Sequence, residues 1–297
     1  MNRNFISYGL LALAQLMVGI NIVGSKAIVE DLSIVSILFW RFFIATIVLL
    51  IIHHCVTPRK IKVNAVLMRE LTRYDWAYMT AQALCGGVLF NLMLLWGLNY
   101  TSASVAGIIT SVLPALIAIL SILFLSERLS LFSGLCISFA VIGLLIINAS
   151  NFRQANFDNL TGDFLILLAL LPEAGYYVLA KVYVNKLPLF LTAALMNALN
   201  LPFVLIALIW SGSLFGQFSV ATVIILLVLG LSTGFFYVFW FAGCKLVKSS
   251  IAGMFTAVMP IATLLIAWLA LEERISLLQL LGMLMVIMSI FFNARKS

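Results

Sequence analysis

Long apolar runs separated by short polar breaks constrain this chain more than any other feature of its 297 residues. A transmembrane helix needs about 20 consecutive apolar residues, and the sequence reaches that length repeatedly from one end to the other. Hydrophobic residues make up 64% of the chain and charged residues 9%, whereas a soluble domain is about one quarter charged. The composition therefore excludes a soluble enzyme, a disordered chain and a secreted disulfide scaffold. It predicts an all-α integral membrane protein.

The apolar runs divide into ten predicted transmembrane helices. Their bounds are Phe5–Ile28, Leu32–His54, Asp75–Leu98, Ser102–Leu125, Leu131–Ser150, Gly162–Val184, Pro188–Ser211, Val220–Gly243, Ser249–Leu271 and Ile275–Ala294. The polar stretches between them are too short for a soluble domain. We therefore expect nearly all of the chain to lie in the membrane or at its surface.

The distribution of Lys and Arg predicts the orientation. If the N-terminus is cytoplasmic, thirteen of these residues fall on the cytoplasmic side and three on the other. Cytoplasmic segments of membrane proteins carry an excess of Lys and Arg. Both termini are therefore expected in the cytoplasm, with the protein in the cell (inner) membrane. The net charge of +7 is explained by this topology, so no nucleic-acid partner is expected.

An internal repeat organises the helices into two halves. The segment from Ser104 to Ser130 recurs from Ser250 to Ser276 without a gap, and 11 of 27 aligned positions are identical, Pro114 and Pro260 among them. This predicts two repeats of five helices each, residues 1–150 and residues 151–297. Because five is odd, the second half must enter the membrane inverted. Inverted repeats are typical of transporters that work by alternating access.

The same residues resemble a known family. The segment Asn99-Tyr-Thr-Ser-Ala-Ser104, Pro114, the segment Phe124-Leu-Ser-Glu-Arg-Leu129 and the second-copy ending Leu269-Ala-Leu-Glu-Glu-Arg274 resemble the EamA domain of the drug/metabolite transporter superfamily. Gly19 to Lys26 and Arg41-Phe42 resemble the opening of that domain. The resemblance covers nearly the whole chain as two EamA copies.

The resemblance implies a ten-helix secondary transporter that exports small metabolites such as amino acids, with proton exchange as one coupling mechanism. A multidrug or organic-cation exporter and an uptake system for a nucleoside-like or vitamin-like nutrient are the alternatives. An integral-membrane enzyme is disfavoured because the chain has no Walker loop, nucleophile elbow or zincin motif. We expect no cofactor and no metal. The expected partners are a small-molecule substrate, the bilayer and protons, with the protein as a monomer or homodimer.

Charged side chains within the predicted helices are the first candidates for transport. A charge at a helix centre costs about 2.5–3.5 kcal/mol on insertion scales. Glu173 is expected to meet a substrate ammonium or carry a coupling proton, and Arg41 or Lys26 to receive a carboxylate. The alternative for Glu173 and Arg41 is a structural ion pair.

Amides and aromatic rings form a second set of candidates. Asn21 and Asn91 are expected to face a cavity because glycines beside them leave space, whereas interhelical hydrogen bonds are expected for Gln15, Gln82, Asn197 and Asn200. An aromatic wall that could hold an organic cation or an amino-acid side chain is predicted from Tyr176, Tyr177, Tyr237 and Trp240. Core packing is the alternative for these rings. Pro114 and Pro260 are expected to act as mid-helix hinges, with static kinks as the alternative.

Overall fold

The fold was obtained as a computed structural model, which describes residues 3–56, 71–98, 100, 106, 109–149, 160–182, 187–212, 218–245, 247–271 and 275–296. All regular structure in this part of the chain is helical. The helices are α1 (Arg3–Ile28), α2 (Ile34–Val56), α3 (Arg73–Ala83, continued by Leu84–Leu89 and Phe90–Leu98), α4 (Leu113–Leu125), α5 (Leu131–Ile147), α6 (Leu160–Val182), α7 (Leu189–Ser211), α8 (Val220–Cys244), α9 (Ser249–Met254, Phe255–Ala257 and Val258–Leu271) and α10 (Leu277–Lys296).

Eight of these helices are long and apolar enough to cross a membrane. The other two, α4 and α5, are also apolar but have 13 and 17 residues. The predicted beginning of the fourth span, residues 102–108, lies largely outside the described residues, as does the predicted boundary between the halves at residues 150 and 151. The prediction of an all-helical membrane protein is confirmed. The count of ten crossings stays a prediction.

The outer surface of the helices is apolar. Large hydrophobic side chains are exposed along most helices, including Phe43, Leu123, Leu205, Leu227 and Leu284. A soluble protein of this size exposes only limited contiguous apolar patches, whereas lipid is the solvent that suits such a surface. Helices satisfy their backbone hydrogen bonds internally, which the bilayer requires.

The central bundle is built from helices of both ends of the chain. In it α1 packs against α8 and α9, α6 packs against α3 and α4, and α2 packs against α7 and α8. The largest apolar core takes residues from α1 to α4 and from α6 to α9. The helices α5 and α10 pack tightly on each other at one side and share a smaller core with α9.

Helix ends are fixed by polar side chains. Thr72 and Asp75 form a capping box at the start of α3, and Ser219 caps α8. The carboxylate of Glu127, in the α4–α5 connection, accepts hydrogen bonds from the backbone N–H groups of Ser249 (2.6 Å) and Ser250 (3.0 Å) at the start of α9. It also accepts one from the Ser250 hydroxyl at 2.7 Å. Glu127 therefore ties the first half of the chain to the second.

Candidate functional site

Glu173 lies near the middle of α6, in a centre lined by aromatic and polar side chains of several helices. The residue before it is Pro172, which has no backbone N–H to donate within the helix. The Tyr177 hydroxyl, one turn further along α6, is close to the Glu173 carboxyl. Tyr237 of α8 lies within electrostatic range of the same carboxyl. The acid in the middle of α6 thus lies beside a tyrosine hydroxyl of its own helix.

The four aromatic residues predicted to form a wall do come together. The Tyr177 and Trp240 ring centroids are 4.6 Å apart, and those of Tyr176 and Tyr237 are 5.9 Å apart. Tyr176 and Tyr177 are in contact at 5.1 Å. Phe236 completes the group, with centroids 5.2 Å from Tyr237 and 6.3 Å from Trp240. All four predicted rings are buried, so one aromatic cluster joins α6 to α8 beside Glu173.

Polar atoms without a partner are concentrated in this part of the bundle. Within the described residues, nine residues have a buried side-chain atom without a hydrogen-bond partner. Two of them are Ser25 and Ser249, near helix ends, and the other seven are Gln15, Gln82, Glu173, Tyr176, Asn197, Asn200 and Trp240. A buried polar group left unpaired costs about 1–3 kcal/mol, and native proteins rarely leave many in one place. Seven residues from five helices therefore form a set of unsatisfied donors and acceptors, which we call the central polar set.

A π-helical segment in α3 brings the backbone close to this set. The six residues Leu84–Leu89 form it, and such segments are frequent at functional sites. A Cβ on Gly86 would lie 2.5 Å from the Tyr176 ring, and one on Gly87 would lie 2.5 Å from Asn200 Cγ. Only glycine permits these approaches. The consecutive glycines were a visible signal in the sequence, but they do not by themselves predict a π-helix.

The expectation that glycines leave open space is therefore wrong for this region. The Tyr176 ring fills the space at Gly86, and the Asn200 side chain fills it at Gly87. The space at Gly19 is filled by α9 around Ala262, and that at Gly24 by Leu229 of α8. Glycine lets neighbouring helices approach closely. At these four positions a residue of the neighbouring helix occupies the space that a side chain would need.

Arg41 and Asn21 meet in a separate group, which we call the Thr233 network. Arg41 Nε of α2 donates to Thr233 Oγ1 of α8 at 3.0 Å. Thr233 Oγ1 lies 3.0 Å from Asn21 Oδ1 of α1 and 2.7 Å from the Leu229 carbonyl, so its one proton serves two acceptors. Asn21 Nδ2 donates to the Met17 carbonyl at 3.0 Å. The network joins three helices, and each of its three side chains has a hydrogen-bond partner.

Arg41 and Glu173 do not form the ion pair considered from the sequence. Glu173 Oε2 has no hydrogen-bond partner among the described residues, and Arg41 donates to Thr233. Tyr237 lies within electrostatic range of both side chains. The two charged groups therefore stay apart.

The remaining predicted residues lie elsewhere. Lys26 is exposed in the last turn of α1. Asn91 is half-buried and its Nδ2 donates to the Gly87 carbonyl of its own helix. Pro114 lies in the first turn of α4, directly after a turn at Ser111 and Val112, so it does not interrupt a continuous helix as expected. A proline is tolerated there because the first N–H groups of a helix have no partner within it.

Pro260 does lie within a helix and follows a break in it. The short 3-10 segment Phe255–Ala257 directly precedes the last part of α9, which begins at Val258. The interruptions before Pro114 and before Pro260 are at positions related by the internal repeat. Both prolines thus mark places where helical geometry changes, and their role as hinges stays a prediction.

Four amides that were predicted to form interhelical hydrogen bonds are members of the central polar set, namely Gln15, Gln82, Asn197 and Asn200. Asn197 and Asn200 donate only to the carbonyls of Ala193 and Met196 on their own helix, which leaves both Oδ1 atoms unpaired among the described residues. Gln15 lacks a partner there for both amide atoms. Their mid-helix position was visible in the sequence, but it could not tell a paired amide from an unpaired one.

Comparison with known proteins agrees with this architecture. Uncharacterized transporter YetK of Bacillus subtilis (strain 168) is 28% identical over 297 residues, covering 98% of this chain and 87% of that protein. An uncharacterized transporter of Archaeoglobus fulgidus is 25% identical over 287 residues, covering 96% and 98%. A crystal structure with 14% identity superimposes with a TM-score of 0.80 over 98% of this chain and 99% of its own, which shows a shared fold.

The model of the EamA-like transporter family matches the chain twice, at residues 5–149 and 160–295. These two matches cover nearly all of the described helices. The chain is therefore a multi-pass membrane protein and belongs to the EamA-like transporter family.

Proposed function

We propose that this protein is a secondary transporter that exports a small amphipathic metabolite, such as an amino acid, by alternating access and proton exchange. The observation that carries the proposal is the central polar set around Glu173, enclosed by helices with an apolar outer surface. A substrate ammonium can replace a proton on the Glu173 carboxyl, so that binding and proton release are coupled. The unpaired amides supply further contacts for a polar substrate.

The pattern of helix packing supports two repeats related by a twofold exchange. The internal repeat relates α1–α5 to α6–α10 in order. Under this exchange the pair α1–α8 becomes α6–α3, and the pair α1–α9 becomes α6–α4, and all four contacts exist. The pairs α2–α7, α4–α9 and α5–α10 map onto themselves, and each is also in contact. A pseudo-twofold axis between the halves accounts for the whole set.

Individual contacts between α5 and α10 follow the same exchange. The repeat offset of 146 residues relates Gly143 to Ser289 and Cys136 to Gly282. The backbones approach at Gly143 and Gly282, where a Cβ on Gly143 would lie 2.9 Å from the Gly282 carbonyl. The related contact exists as well, because the Ser289 hydroxyl donates to the Cys136 carbonyl. An inverted repeat requires its related helices to run in opposite directions, so the antiparallel packing of α5 on α10 supports the inversion and one crossing by each of these two helices.

The aromatic cluster favours a second candidate function, export of an organic cation. Tyr177 and Trp240 lie beside the only acid of the central polar set, and aromatic faces attract cations by about 0.5–2 kcal/mol. A cation without a carboxylate would use these rings and Glu173 alone. This candidate differs from an amino-acid exporter in the substrate it exchanges, which makes the two separable.

Counterflow in proteoliposomes tests both candidates. Vesicles with the purified protein are loaded with amino acids, organic amines or nucleosides in turn, and exchange of the labelled compound is measured at two pH values. We expect amino-acid exchange that changes with pH, and loss of exchange or of its pH dependence in Glu173→Gln. Glu30→Gln, at an exposed acid between α1 and α2, is the matched control and should behave as wild type.

Results of this experiment can contradict the proposal in separate ways. If Glu173→Gln keeps both the wild-type exchange rate and its pH dependence, Glu173 has no part in the mechanism. Exchange of amines alone would favour the organic-cation exporter. A pH gradient imposed across the vesicles gives the direction, since export by proton exchange requires substrate to move against the proton flow.

A further inference from the structure

Gln15 is the most completely unpaired side chain of the central polar set. It lies near the middle of α1 with none of its surface exposed. Neither Nε2 nor Oε1 has a hydrogen-bond partner among the described residues. Its neighbours Leu11 and Ala14 pack in one core with Tyr177 and Trp240, and its amide lies beside the Tyr177 hydroxyl, which is itself beside the Glu173 carboxyl. Gln15 and Glu173 are thus the two polar groups on either side of one phenol.

A primary amide offers a specific combination of groups. Its nitrogen carries hydrogen-bond donors and its oxygen is an acceptor, and both atoms are bonded to the same carbon. A ligand satisfies both only if it carries an acceptor and a donor side by side. The α-ammonium and α-carboxylate of an amino acid are bonded to one carbon, so they meet this requirement, whereas a simple amine supplies a donor alone.

We propose that Gln15 is a specificity-determining residue that binds the α-amino-acid head group of the substrate, an inference that rests on the proposed function. Oε1 accepts from the ammonium, which Glu173 also binds, and Nε2 donates to the carboxylate. Trp240, whose ring lies 4.6 Å from that of Tyr177, has an unpaired Nε1–H within the described structure and gives the carboxylate a second donor. The substrate side chain then lies towards the aromatic cluster.

Arg41 is less suited than Gln15 to this carboxylate. The two charged groups of the head group share one carbon, so their partners in the protein must lie side by side. Gln15 and Glu173 do so at the Tyr177 hydroxyl. Arg41 donates to Thr233 in the other network and is not paired with Glu173. The Arg41 guanidinium therefore holds α2 to α8, while the amide of Gln15 binds the head group of the substrate.

Substrate selectivity tests this assignment. Wild type, Gln15→Met and Gln279→Met are reconstituted, and counterflow is measured with a labelled amino-acid mixture and with the matching mixture of decarboxylated amines. Gln15→Met keeps the length and apolar packing of the side chain but removes both polar atoms. We expect amino-acid exchange, which loses a contact to each charged group, to fall about tenfold or more, and amine exchange, which loses only the Oε1 contact and keeps Glu173, to fall by a clearly smaller factor. Gln279→Met, at the start of α10, should leave both unchanged.

A second variant guards against a merely structural effect. Gln15→Glu keeps the acceptor oxygen and replaces the donor by a second oxygen, which repels the substrate carboxylate. It should lower amino-acid exchange while amine exchange is kept or raised. Both variants are checked for a single symmetric peak in size-exclusion chromatography before assay.

The outcomes separate this inference from the proposed function. An equal fall for amino acids and amines in both variants, or no fall in either, overturns the role of Gln15 and leaves the transporter proposal intact. Exchange of amines alone by wild type overturns the head-group assignment and favours organic-cation export. Exchange of neither mixture by wild type overturns both the amino-acid function and this assignment.

Discussion

The central polar set and the Thr233 network occupy the same bundle but differ in how their polar groups are satisfied. In the Thr233 network, Arg41, Asn21 and Thr233 bond to one another across α1, α2 and α8. In the central polar set, Gln15, Glu173 and Asn200 leave atoms without partners among the described residues. A paired network holds helices together, whereas an unpaired set is costly unless a ligand completes it. Under the proposed function, this difference separates residues that build the bundle from residues that contact the substrate.

Gly87→Ala should have the largest effect on exchange, because it displaces a member of the central polar set. It does so without removing any polar group. The new Cβ would overlap the Asn200 side chain, whose Nδ2 is held at 2.9 Å by the Met196 carbonyl. Asn200 must then turn away from its position. We expect exchange in proteoliposomes to fall about tenfold, the size expected from misplacing one polar contact.

Gly175→Ala is the matched control for this substitution. Gly175 is two residues from Glu173, and a Cβ there would meet no atom within 4 Å. This variant should keep its exchange activity, because the new Cβ displaces nothing. Alanine is favoured over glycine within a helix by about 0.5–1 kcal/mol, so its melting temperature should be slightly higher. Equal losses in Gly87→Ala and Gly175→Ala would show that close approach at Gly87 is unimportant.

Thr233→Val should act on stability and leave selectivity unchanged. It is nearly isosteric but removes the acceptor of Arg41 and the donor to Asn21. Leaving such groups unpaired costs about 1–3 kcal/mol, which should appear as a lower melting temperature of the purified protein. The ratio of amino-acid to amine exchange should not change.

Thr46→Val provides the comparison on α2. The Thr46 hydroxyl bonds only the Phe42 carbonyl of its own helix, at 2.8 Å, so its loss should lower the melting temperature less. A changed substrate ratio in Thr233→Val, with unchanged stability, would move the Thr233 network into the substrate site.

Glu127→Gln should have the smallest effect on exchange, because Glu127 lies at a helix end outside the central polar set, and it extends the comparison to the helix ends. Glu127 is fully paired at the start of α9. Its negative charge is favoured there by the helix dipole, by about 0.3–1 kcal/mol. The amide keeps one acceptor oxygen, but its NH2 group faces donors that the second oxygen of Glu127 accepts from. We therefore expect a lower melting temperature, and the part of the drop that is due to the lost charge should shrink at high salt. A drop that salt does not alter would exclude the charge as its cause.

The sequence predicted the bundle and its aromatic cluster well because both follow from local patterns. Eight apolar runs became spanning helices at nearly the expected bounds. Tyr176, Tyr177, Tyr237 and Trp240 lie close in sequence on two helices, so their clustering needed only that α6 meet α8. Glu173 stood out because a carboxyl in the middle of a spanning helix is rare for energetic reasons.

Hydrogen-bond pairing could not be predicted, because it depends on which helix faces each side chain. Asn21 and Gln15 are amides six residues apart on α1, and the first is paired with α8 while the second is not. The π-helical segment of α3 escaped prediction for a similar reason. Its glycines are explained only by the Tyr176 ring and the Asn200 side chain that press against them.

Composition and the lengths of the apolar runs by themselves determined that this chain lies in a membrane as helices. Those properties depend on the free energy of apolar side chains in lipid and on backbone hydrogen bonds within each helix, and both are local. The tertiary structure alone decided which polar side chains are satisfied, since a hydrogen bond across helices requires a partner within about 3 Å. Arg41 and Glu173 looked alike in the sequence as isolated charges. Packing gave Arg41 a partner on α8 and left a carboxylate oxygen of Glu173 without one among the described residues.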